Sequence, residues 1–400
     1  MTSLRYLFLF DGDYFLAMSL WLVAGAIVLW VLLKLRREAS RPSRSTTSHR
    51  SGDDRARQNK KLRKSIAKPT SPRLRWIHLA LSVWMLLAAL TVPELYFALF
   101  YNTTDSFNMT NVSKKWYTMY AETQKRPLEI TDGEGFLFRD DHDFPKSVGS
   151  ERRRICFLGD SFTFGHGIRD ISDRFSNRVG AALEERHPGR FVVSNLANAG
   201  VELHWIEMQL RELFKAGFKI DAIVYVVCLN DIETFHPSFQ TYYDGFSRRV
   251  GQPQFFLFRD TYFFNLLYYR FRQMQVPELR DYYSFVKEYY EAEPWKRMQQ
   301  KLDDVHQTCQ ENGADLRIVV FPFLHNLGPE YPFGGVHKQF AEYCSDRGVP
   351  MLDLEGVLAP HVPEGLTVNR LDAHPNERAH QLVATAIERQ LLADYFEPRE

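Results

Sequence analysis

The sequence has few cysteines, and none of them is spaced like a metal ligand. Its four cysteines are tens of residues apart, so the Cys-x-x-Cys pairs of zinc sites are absent. It also has no Gly-x-Gly-x-x-Gly segment after a strand and no Walker loop, which disfavours a nucleotide-binding enzyme. The sequence therefore predicts no metal and no cofactor. Cys309 and Cys344 lie on predicted helices and could pair in an oxidising compartment, while Cys156 and Cys228 are expected in core strands.

The chain also has little net charge, but its positive charge is concentrated in one block. The formal charge is +1, whereas the segment from Lys34 to Arg75 holds fifteen Lys or Arg and three acids, a local net charge of +12. This segment has few large apolar residues and is predicted to be disordered. A basic stretch can bind nucleic acid, but between two apolar segments it indicates the cytoplasmic side of a membrane protein. We therefore predict a membrane partner and no nucleic-acid partner.

Two long apolar segments flank the basic block. Residues 14–33 carry no charge, and twenty residues of helix span about 30 Å, the thickness of the hydrocarbon core of a bilayer. Residues 76–92 are apolar with one histidine, and aromatic residues typical of a membrane interface follow them. A signal peptide is disfavoured for the first segment because Asp11 and Asp13 precede it and no small-residue cleavage site follows. A buried core helix is the alternative for the second. We predict transmembrane helices at 14–33 and 76–98.

This topology divides the chain into a membrane part and an extracytoplasmic part. Residues 1–13 form an N-terminal segment, 34–75 a basic cytoplasmic loop and 99–151 an extracytoplasmic stalk. Residues 152–397 are expected to form a globular domain that faces the periplasm or the exterior, with an aromatic-rich insertion at 232–293. The insertion follows a predicted strand. It either covers the site as a lid or substrate wall, or adds helices that pack on the core.

Strands and helices alternate from about residue 152 onward. Short apolar runs predict strands, amphipathic stretches predict helices, and glycines stand where helices end. Alternating β and α units imply a parallel sheet covered on both faces, with functional residues at the carboxyl ends of its strands. The predicted strands are Arg154–Leu158, Phe191–Leu196, Ala222–Cys228, Leu316–Phe321 and Pro350–Leu354.

A serine follows the first of these strands in a distinctive setting. In the run Gly159-Asp160-Ser161, a small residue and an acid precede the serine, and Gly165 lies four residues beyond it. The pattern predicts a sharp turn from the strand into a helix, with Ser161 exposed at the carboxyl edge of the sheet. Free backbone N–H groups at the helix start could stabilise an oxyanion there. The alternative is that Ser161 is an ordinary helix N-cap.

Polar residues at three further points complete the groups that acyl transfer requires. Ser161 is the candidate nucleophile, His374 the base that takes its proton, and Asp372 the acid that orients the imidazole. The N–H groups of Ser161 and Gly200 and the side-chain amide of Asn230 are candidates for an oxyanion hole. Each residue has a simpler explanation as a turn or a cap, but their conjunction on this fold favours catalysis. The remaining candidates for the site, expected to be ordinary histidines, are His166, His204, His236 and His325.

These motifs resemble those of the SGNH (GDSL-type) hydrolases over roughly residues 152–395. The matching residues are Gly159-Asp160-Ser161, Gly200, Asn230-Asp231 and His374. The resemblance implies a flavodoxin-like three-layer α/β/α fold with a parallel five-stranded sheet, preceded here by two transmembrane helices. It also implies Ser161 as nucleophile, Gly200 and Asn230 in the oxyanion hole and His374 as base. Two positions depart from the family. Its usual Asp three residues before the His is replaced by Leu371, with Asp372 two before, and Cys228 replaces a frequent Gly before the Asn.

The sequence thus predicts a membrane-anchored serine esterase. It would hydrolyse acyl or acetyl esters of lipids or surface glycans through an acyl-serine intermediate, because such esters are present outside the cytosol. One alternative is an O-acyltransferase that passes the same acyl group to an extracytoplasmic glycan. A second alternative is a non-catalytic module that binds glycan or assists assembly. The sequence predicts neither the acyl chain length nor an oligomeric state.

Overall fold

The protein forms two compact units, here described from a computed structural model. The first unit is Ser3–Phe100, and the second is Tyr101–Glu400 together with Met1–Thr2. Most of the predicted basic loop and parts of the predicted stalk and insertion lie outside the described residues. The structure describes residues 1–40, 72–121, 126–128, 138–140, 142–237, 248, 250–276, 282–291 and 293–393.

The first unit consists of three helices in its described part. They are α1 (Ser3–Phe10), α2 (Gly12–Ala39) and α3 (Pro72–Leu99). Both α2 and α3 are 28 residues long and apolar enough to cross a membrane, and they include the two predicted spans. Two indole N–H groups join them, because Trp84 Nε1 donates to the carbonyl of Gly25 and Trp21 Nε1 donates to Thr91 Oγ1, each at 3.0 Å. The order of these contacts along both helices makes the pair antiparallel.

The second unit is built on a five-stranded parallel sheet. Its five strands have the flavodoxin-like order, in which the first strand along the chain lies between the second and the third, and the fourth and fifth follow the third. All five predicted strands are present, with ends that differ by one residue at most, so the predicted fold is confirmed. The strands of the unit are β1 (Arg126–Leu128), β2 (Phe138–Asp140), β3 (Arg153–Gly159), β4 (Phe191–Asn195), β5 (Ala222–Cys228), β6 (Asp315–Phe321), β7 (Met351–Asp353), β8 (Thr367–Asn369) and β9 (Asp372–Pro375).

Helices cover both faces of this sheet. The helices are α4 (Asn111–Trp116), α5 (Ser161–Phe164), α6 (Phe175–Arg186), α7 (Leu203–Lys215), α8 (Phe256–Arg259), α9 (Phe263–Met274), α10 (Tyr282–Tyr290), α11 (Glu293–Glu311), α12 (Gly334–Arg347), α13 (Glu355–Leu358) and α14 (Glu377–Ala386). The connection from β3 to β4 leads toward one edge of the sheet, and the connections from β4 to β5, β6 and β7 lead toward the opposite edge. Right-handed crossovers therefore put α6 on one face and α7, α11 and α12 on the other. In agreement, α14 packs on α6 and α7 packs on α11.

The sequence patterns explain why these elements form one core. Every residue of β5 is buried, as expected for a central parallel strand that is covered on both faces. Helix α7 buries Leu203, Ile206, Leu210 and Leu213, which recur at helical spacing on one face. All four cysteines are buried and free, so the disulfide considered for Cys309 and Cys344 is not formed.

The aromatic-rich insertion contributes helices α8, α9 and α10 in its described part. Helix α10 buries Val286 and Tyr290 in the main core. Helix α9 is tied to α4, because the backbone N–H of Asn111 donates to Asn265 Oδ1 at 2.8 Å. Residues 238–247 and 277–281, which belong to the predicted insertion, lie outside the described residues. Extra helices that pack on the core are therefore present, and the predicted lid or substrate wall stays a prediction.

Candidate active site

The turn after β3 exposes Ser161 at the carboxyl edge of the sheet. Gly159 lies so close to β5 that a Cβ atom there would be 2.8 Å from the carbonyl oxygen of Val226, so no larger residue fits. Asp160 caps helix α5 by accepting a 2.9 Å hydrogen bond from the N–H of Phe162. Ser161 is the first helical residue, and the interpretation of this serine as the N-cap is wrong. Its hydroxyl is therefore left for other contacts.

Asp372 and His374 lie on β9, one strand of a hairpin with β8 that the sequence patterns did not predict. Residues i and i+2 of a strand point to the same side, so a spacing of two puts the carboxylate beside the imidazole. Asp372 Oδ1 is 2.5 Å from His374 Nδ1 and accepts a 3.0 Å hydrogen bond from the His374 backbone N–H. The departure from the family's usual spacing is thus compatible with direct contact between the two side chains.

The structure brings Ser161, His374 and Asp372 into one line of hydrogen bonds. Ser161 Oγ lies 2.7 Å from His374 Nε2 and 3.4 Å from Asp160 Oδ2. Because His374 Nδ1 faces a carboxylate, which only accepts, Nδ1 carries the proton of the neutral ring and Nε2 accepts from the serine. The serine and the histidine are 213 residues apart in the chain. This geometry fits a nucleophile, a base and an orienting acid, although these roles stay predictions.

Burial and charge act in opposite directions on the two titratable groups of this line. Burial alone would lower the pKa of His374, but the charge of Asp372 and its hydrogen bond outweigh burial and hold that pKa above its ordinary value. Burial alone would raise the pKa of Asp372. The charge of His374 and its hydrogen bond outweigh it, with smaller contributions from His166 and Thr104, and hold the pKa of Asp372 well below its ordinary value. Asp372 is therefore ionised wherever His374 can act as a base.

Two residues beside Asp372 were not assigned to the site from the sequence. The Thr104 hydroxyl donates to Asp372 Oδ2 from 268 residues away in the chain. His166 is buried, its ring centre is 4.5 Å from that of His374, and its Nε2 donates to the carbonyl of Asp105 at 3.2 Å. Burial and the nearby His374 lower the pKa of His166 to about 4, so this ring is neutral near pH 7. Only the position of His166 near the serine block was a signal in the sequence.

The other three histidines differ in their relation to the site. His325 lies in the turn after β6 with part of its side chain exposed and part of it buried. The partial burial lowers its pKa, and the nearby charges of Asp372 and His374 have smaller, opposite effects on that pKa. His204 packs edge-on against Trp205, and His236 stacks on Tyr289 with ring centres 4.2 Å apart. These two therefore have ordinary packing contacts, as expected.

Two candidates for the oxyanion hole, Gly200 and Asn230, lie in the loops that follow β4 and β5, the two strands that flank β3. Gly200 follows β4 by five residues and is exposed, with a φ of +75° that favours glycine. Asn230 follows β5 by two residues in a 3₁₀ turn, Leu229–Phe235. Its Oδ1 is buried and has no hydrogen-bond partner among the residues that the structure describes. Because β4 and β5 both pair with β3 in parallel, all three loops open at one edge of the sheet. The role of Gly200 and Asn230 stays a prediction.

A buried polar network supports the turn that carries Asn230. Asp231 Oδ2 accepts hydrogen bonds from Tyr225 OH at 2.6 Å and from the N–H of Cys228 at 3.3 Å. Burial, followed by the charge of Asp160, raises the pKa of Asp231 well above its ordinary value. Burial also raises the pKa of the Cys228 thiol, and only 1% of the Cys228 surface is exposed. Cys228 therefore belongs to the core beneath the turn.

Comparison with known proteins identifies the family. The family model of the GDSL-like lipase/acylhydrolase family matches residues 157–382, which is more than half of the chain. This match begins in β3, includes all five candidate site residues and ends within α14. A comparison with curated proteins finds no match.

Several solved structures are similar to this chain at low sequence identity. The structure of TesA is 15% identical, covers 60% of this chain and 98% of its own, and has a TM-score of 0.39. A variant of an acetyl xylan esterase from Geobacillus stearothermophilus is 14% identical, with coverages of 64% and 100% and a TM-score of 0.39. A two-domain esterase active on acetylated mannans is 15% identical, with coverages of 63% and 52% and a TM-score of 0.37. The chain thus spans about half the length of that third protein.

The family match has a direct consequence for the chemistry of this protein. The matched region contains the serine and the histidine that the sequence predicted for such a hydrolase, and the fold has the predicted parallel five-stranded sheet. The chain belongs to the GDSL-like lipase/acylhydrolase family and is an SGNH-type serine hydrolase of ester bonds.

Proposed function

We propose that this protein is a membrane-anchored serine esterase that hydrolyses acyl or acetyl esters of lipids or surface glycans outside the cytosol. The observation that carries the proposal is the hydrogen-bonded line from Ser161 Oγ through both ring nitrogens of His374 to Asp372 Oδ1. Such a line supplies a nucleophile, a general base and the acid that fixes the base in one tautomer. Catalysis by this line needs no cofactor.

In the first half of the reaction, Ser161 Oγ attacks the ester carbonyl carbon while its proton passes to His374 Nε2. The negative charge that develops on the carbonyl oxygen is stabilised by the N–H groups of Ser161 and Gly200 and by the amide of Asn230. The charge of Asp372 stabilises the imidazolium that forms. When the carbon–oxygen bond of the ester breaks, the leaving alcohol takes the proton from His374, and the acyl group remains on Ser161.

In the second half, a water molecule takes the place of the alcohol. Its proton passes to His374 Nε2 as its oxygen attacks the acyl carbon, and the same oxyanion donors stabilise the second tetrahedral intermediate. Collapse of that intermediate returns the proton to Ser161 Oγ and releases the carboxylic acid. The enzyme is then in its starting state. A sugar hydroxyl in place of water would make the same site an acyltransferase.

The proposed substrates follow from the proposed location. The block of net charge +12 between the two apolar helices favours the cytoplasm for residues 34–75. Two spans then return the chain to the outside, where the catalytic domain begins. The esters available there are those of membrane lipids and of acylated or acetylated surface glycans. Both would be within reach of a domain that is attached to the membrane.

The full-length protein in detergent, tested on p-nitrophenyl acetate, checks this proposal. We expect release of nitrophenol and acetate at a rate proportional to enzyme, and labelling of Ser161 by a fluorophosphonate. The variant Ser161→Ala should show neither. Acetate found on an added oligosaccharide instead of in water would favour the acyltransferase alternative. A protein that binds oligosaccharide but neither turns over nor reacts with fluorophosphonate would be a binding module, and the esterase proposal would fail.

A further inference from the structure

The side chain of Asp372 is completely buried. A buried carboxylate needs hydrogen-bond donors at both oxygens, since each unsatisfied polar atom loses the contacts that water would give it. Asp372 Oδ1 has two donors, both from His374. Asp372 Oδ2 has the hydroxyl of Thr104. His166 Nε2 is 3.7 Å from Oδ2 and donates to a backbone carbonyl instead. Within the described part of the chain, Thr104 is therefore the one hydrogen-bond donor to Oδ2.

The segment around Thr104 is hydrogen-bonded to the hairpin β8–β9, at the residues directly before and after Asp372. The N–H of Ser106 donates to the carbonyl of Leu371 at 3.2 Å, and Ser106 Oγ accepts from the N–H of Ala373 at 2.9 Å. Asn369, at the end of β8, donates from Nδ2 to the carbonyl of Thr104 at 3.1 Å. These bonds fix the distance between the Thr104 backbone and β9. The Thr104 hydroxyl is thus held in place opposite Asp372.

The turn that follows Thr104 is held by several hydrogen bonds to one side chain. The Asp105 carboxylate accepts hydrogen bonds from the N–H groups of Phe107 and Met109, each at 3.1 Å, and from the N–H of Thr110 at 3.0 Å. The Thr110 hydroxyl adds a fourth at 2.7 Å. One side chain thereby organises the backbone from 105 to 110, where α4 begins. A residue that is held by a preorganised turn can orient a partner to within a fraction of an ångström.

We propose that Thr104 is a positioning residue of this hydrolase: its hydroxyl holds one oxygen of Asp372 so that the other stays aligned with His374 Nδ1. This inference rests on the proposed function and extends it to a segment outside the region that the family model matches. Thr104 touches neither the ester nor the reacting atoms. Its effect on the reaction passes through Asp372 to the imidazole.

Loss of the Thr104 hydroxyl should act on both the rate and its pH dependence. Without that donor, the carboxylate can turn away from His374, and the alignment of the base with Ser161 becomes less exact. A carboxylate that is turned away from the ring attracts the imidazolium proton less strongly, which lowers the pKa of His374. The reaction needs neutral His374, so the acid limb of kcat/KM should move to lower pH. If Thr104 only filled space, its replacement would lower the free energy of unfolding without moving this limb.

The test uses the full-length protein in detergent with p-nitrophenyl acetate. Thr104→Val keeps the shape of the side chain and removes the hydroxyl, and we expect kcat/KM at neutral pH to fall about tenfold. We also expect its acid limb to lie at lower pH than that of the wild type. Thr104→Ser restores a hydroxyl and should restore both quantities. Thr103→Val removes the neighbouring hydroxyl, which contacts Asn369 instead of Asp372, and should leave the acid limb in place.

Two results would overturn the inference. The first is a Thr104→Val variant with wild-type kcat/KM and an unmoved acid limb. The second is a Thr104→Ser variant as impaired as Thr104→Val, because the hydroxyl would then not be the group that matters. Ser161→Ala separates these failures from a failure of the proposed function: if Ser161→Ala is inactive while Thr104→Val is unaffected, only the role of Thr104 is wrong. If Thr104→Val does not fold, Thr104→Ala also removes the hydroxyl and takes its place, and a Thr104→Ala variant with an unmoved acid limb would overturn the inference.

Discussion

Ser161 and His374 should behave as one catalytic unit when they are replaced singly and together. The hydroxyl is a weak nucleophile unless a base accepts its proton, and His374 Nε2 at 2.7 Å is positioned to do so. Removing the base leaves an unactivated hydroxyl, and removing the hydroxyl leaves a base with nothing to activate. We therefore expect Ser161→Ala, His374→Ala and the double variant to have nearly equal residual rates.

The size of the effect follows from this interdependence. In an efficient serine hydrolase, loss of the nucleophile or of the base lowers kcat by a factor of up to about 10⁶. Two independent residues of that importance would multiply their effects in the double variant. If the two act as one unit, the second substitution lowers kcat no further. The coupling between them is then about six powers of ten, or about 8 kcal/mol at about 1.36 kcal/mol for each.

The assay is p-nitrophenyl acetate hydrolysis by each purified full-length variant, corrected for spontaneous hydrolysis and accompanied by fluorophosphonate labelling. Matched controls are Ser345→Ala and His306→Ala, which change the same residue types on the outer helices α12 and α11 and should retain full activity. A Ser161→Ala variant that hydrolyses the ester as fast as the wild type would refute the assignment of the nucleophile. A His374→Ala rate far above that of Ser161→Ala would contradict the unit, and would point to Asp160, whose Oδ2 is 3.4 Å from the hydroxyl, as a substitute base.

Three further predictions concern the acid, the oxyanion hole and the topology. Asp372→Asn should lower kcat by about 10⁴, because an amide no longer fixes the His374 tautomer; its acid limb should also lie at lower pH than that of the wild type, since the charge that raises the pKa of His374 is gone while burial remains. Asn230→Ala should lower kcat by about 10²–10³ with the fold intact by circular dichroism, and an unchanged rate would make Asn230 a turn residue only. A reporter that is active only outside the cytoplasm should be active after Glu400 and silent when inserted near Ser48, and the reverse pattern would contradict the proposed orientation.

The sheet was predictable because its signals are local. The sequence predicts strand Ala222–Cys228 with the same bounds that the structure shows, since a continuous apolar run between polar segments is typical of a central parallel strand. The family was predictable for a related reason, because Gly159, Asp160 and Ser161 are adjacent and carry the motif together. The match of the family model confirms that resemblance.

The surroundings of Asp372 were not predictable in the same way. Thr104 is one of many threonines, and nothing near it in the sequence relates it to a carboxylate 268 residues later. The hairpin β8–β9 was missed because each strand has only three or four residues, too few for a period of two to be recognised. Contacts of this kind depend on the path of the whole chain, and that path is set by packing.

The hairpin β8–β9 makes the site unusually dependent on strand register. Only Arg370 and Leu371 join its two strands, and Asp372 pairs with Asn369 directly after them. Because neighbouring residues of a strand point to opposite sides, a slip of one residue would turn the acid and the base away from Ser161 together. A short exposed loop ordinarily tolerates an added residue, but this one sets the alignment of two functional side chains at once. The length of that loop therefore determines whether Asp372 and His374 face Ser161 at all.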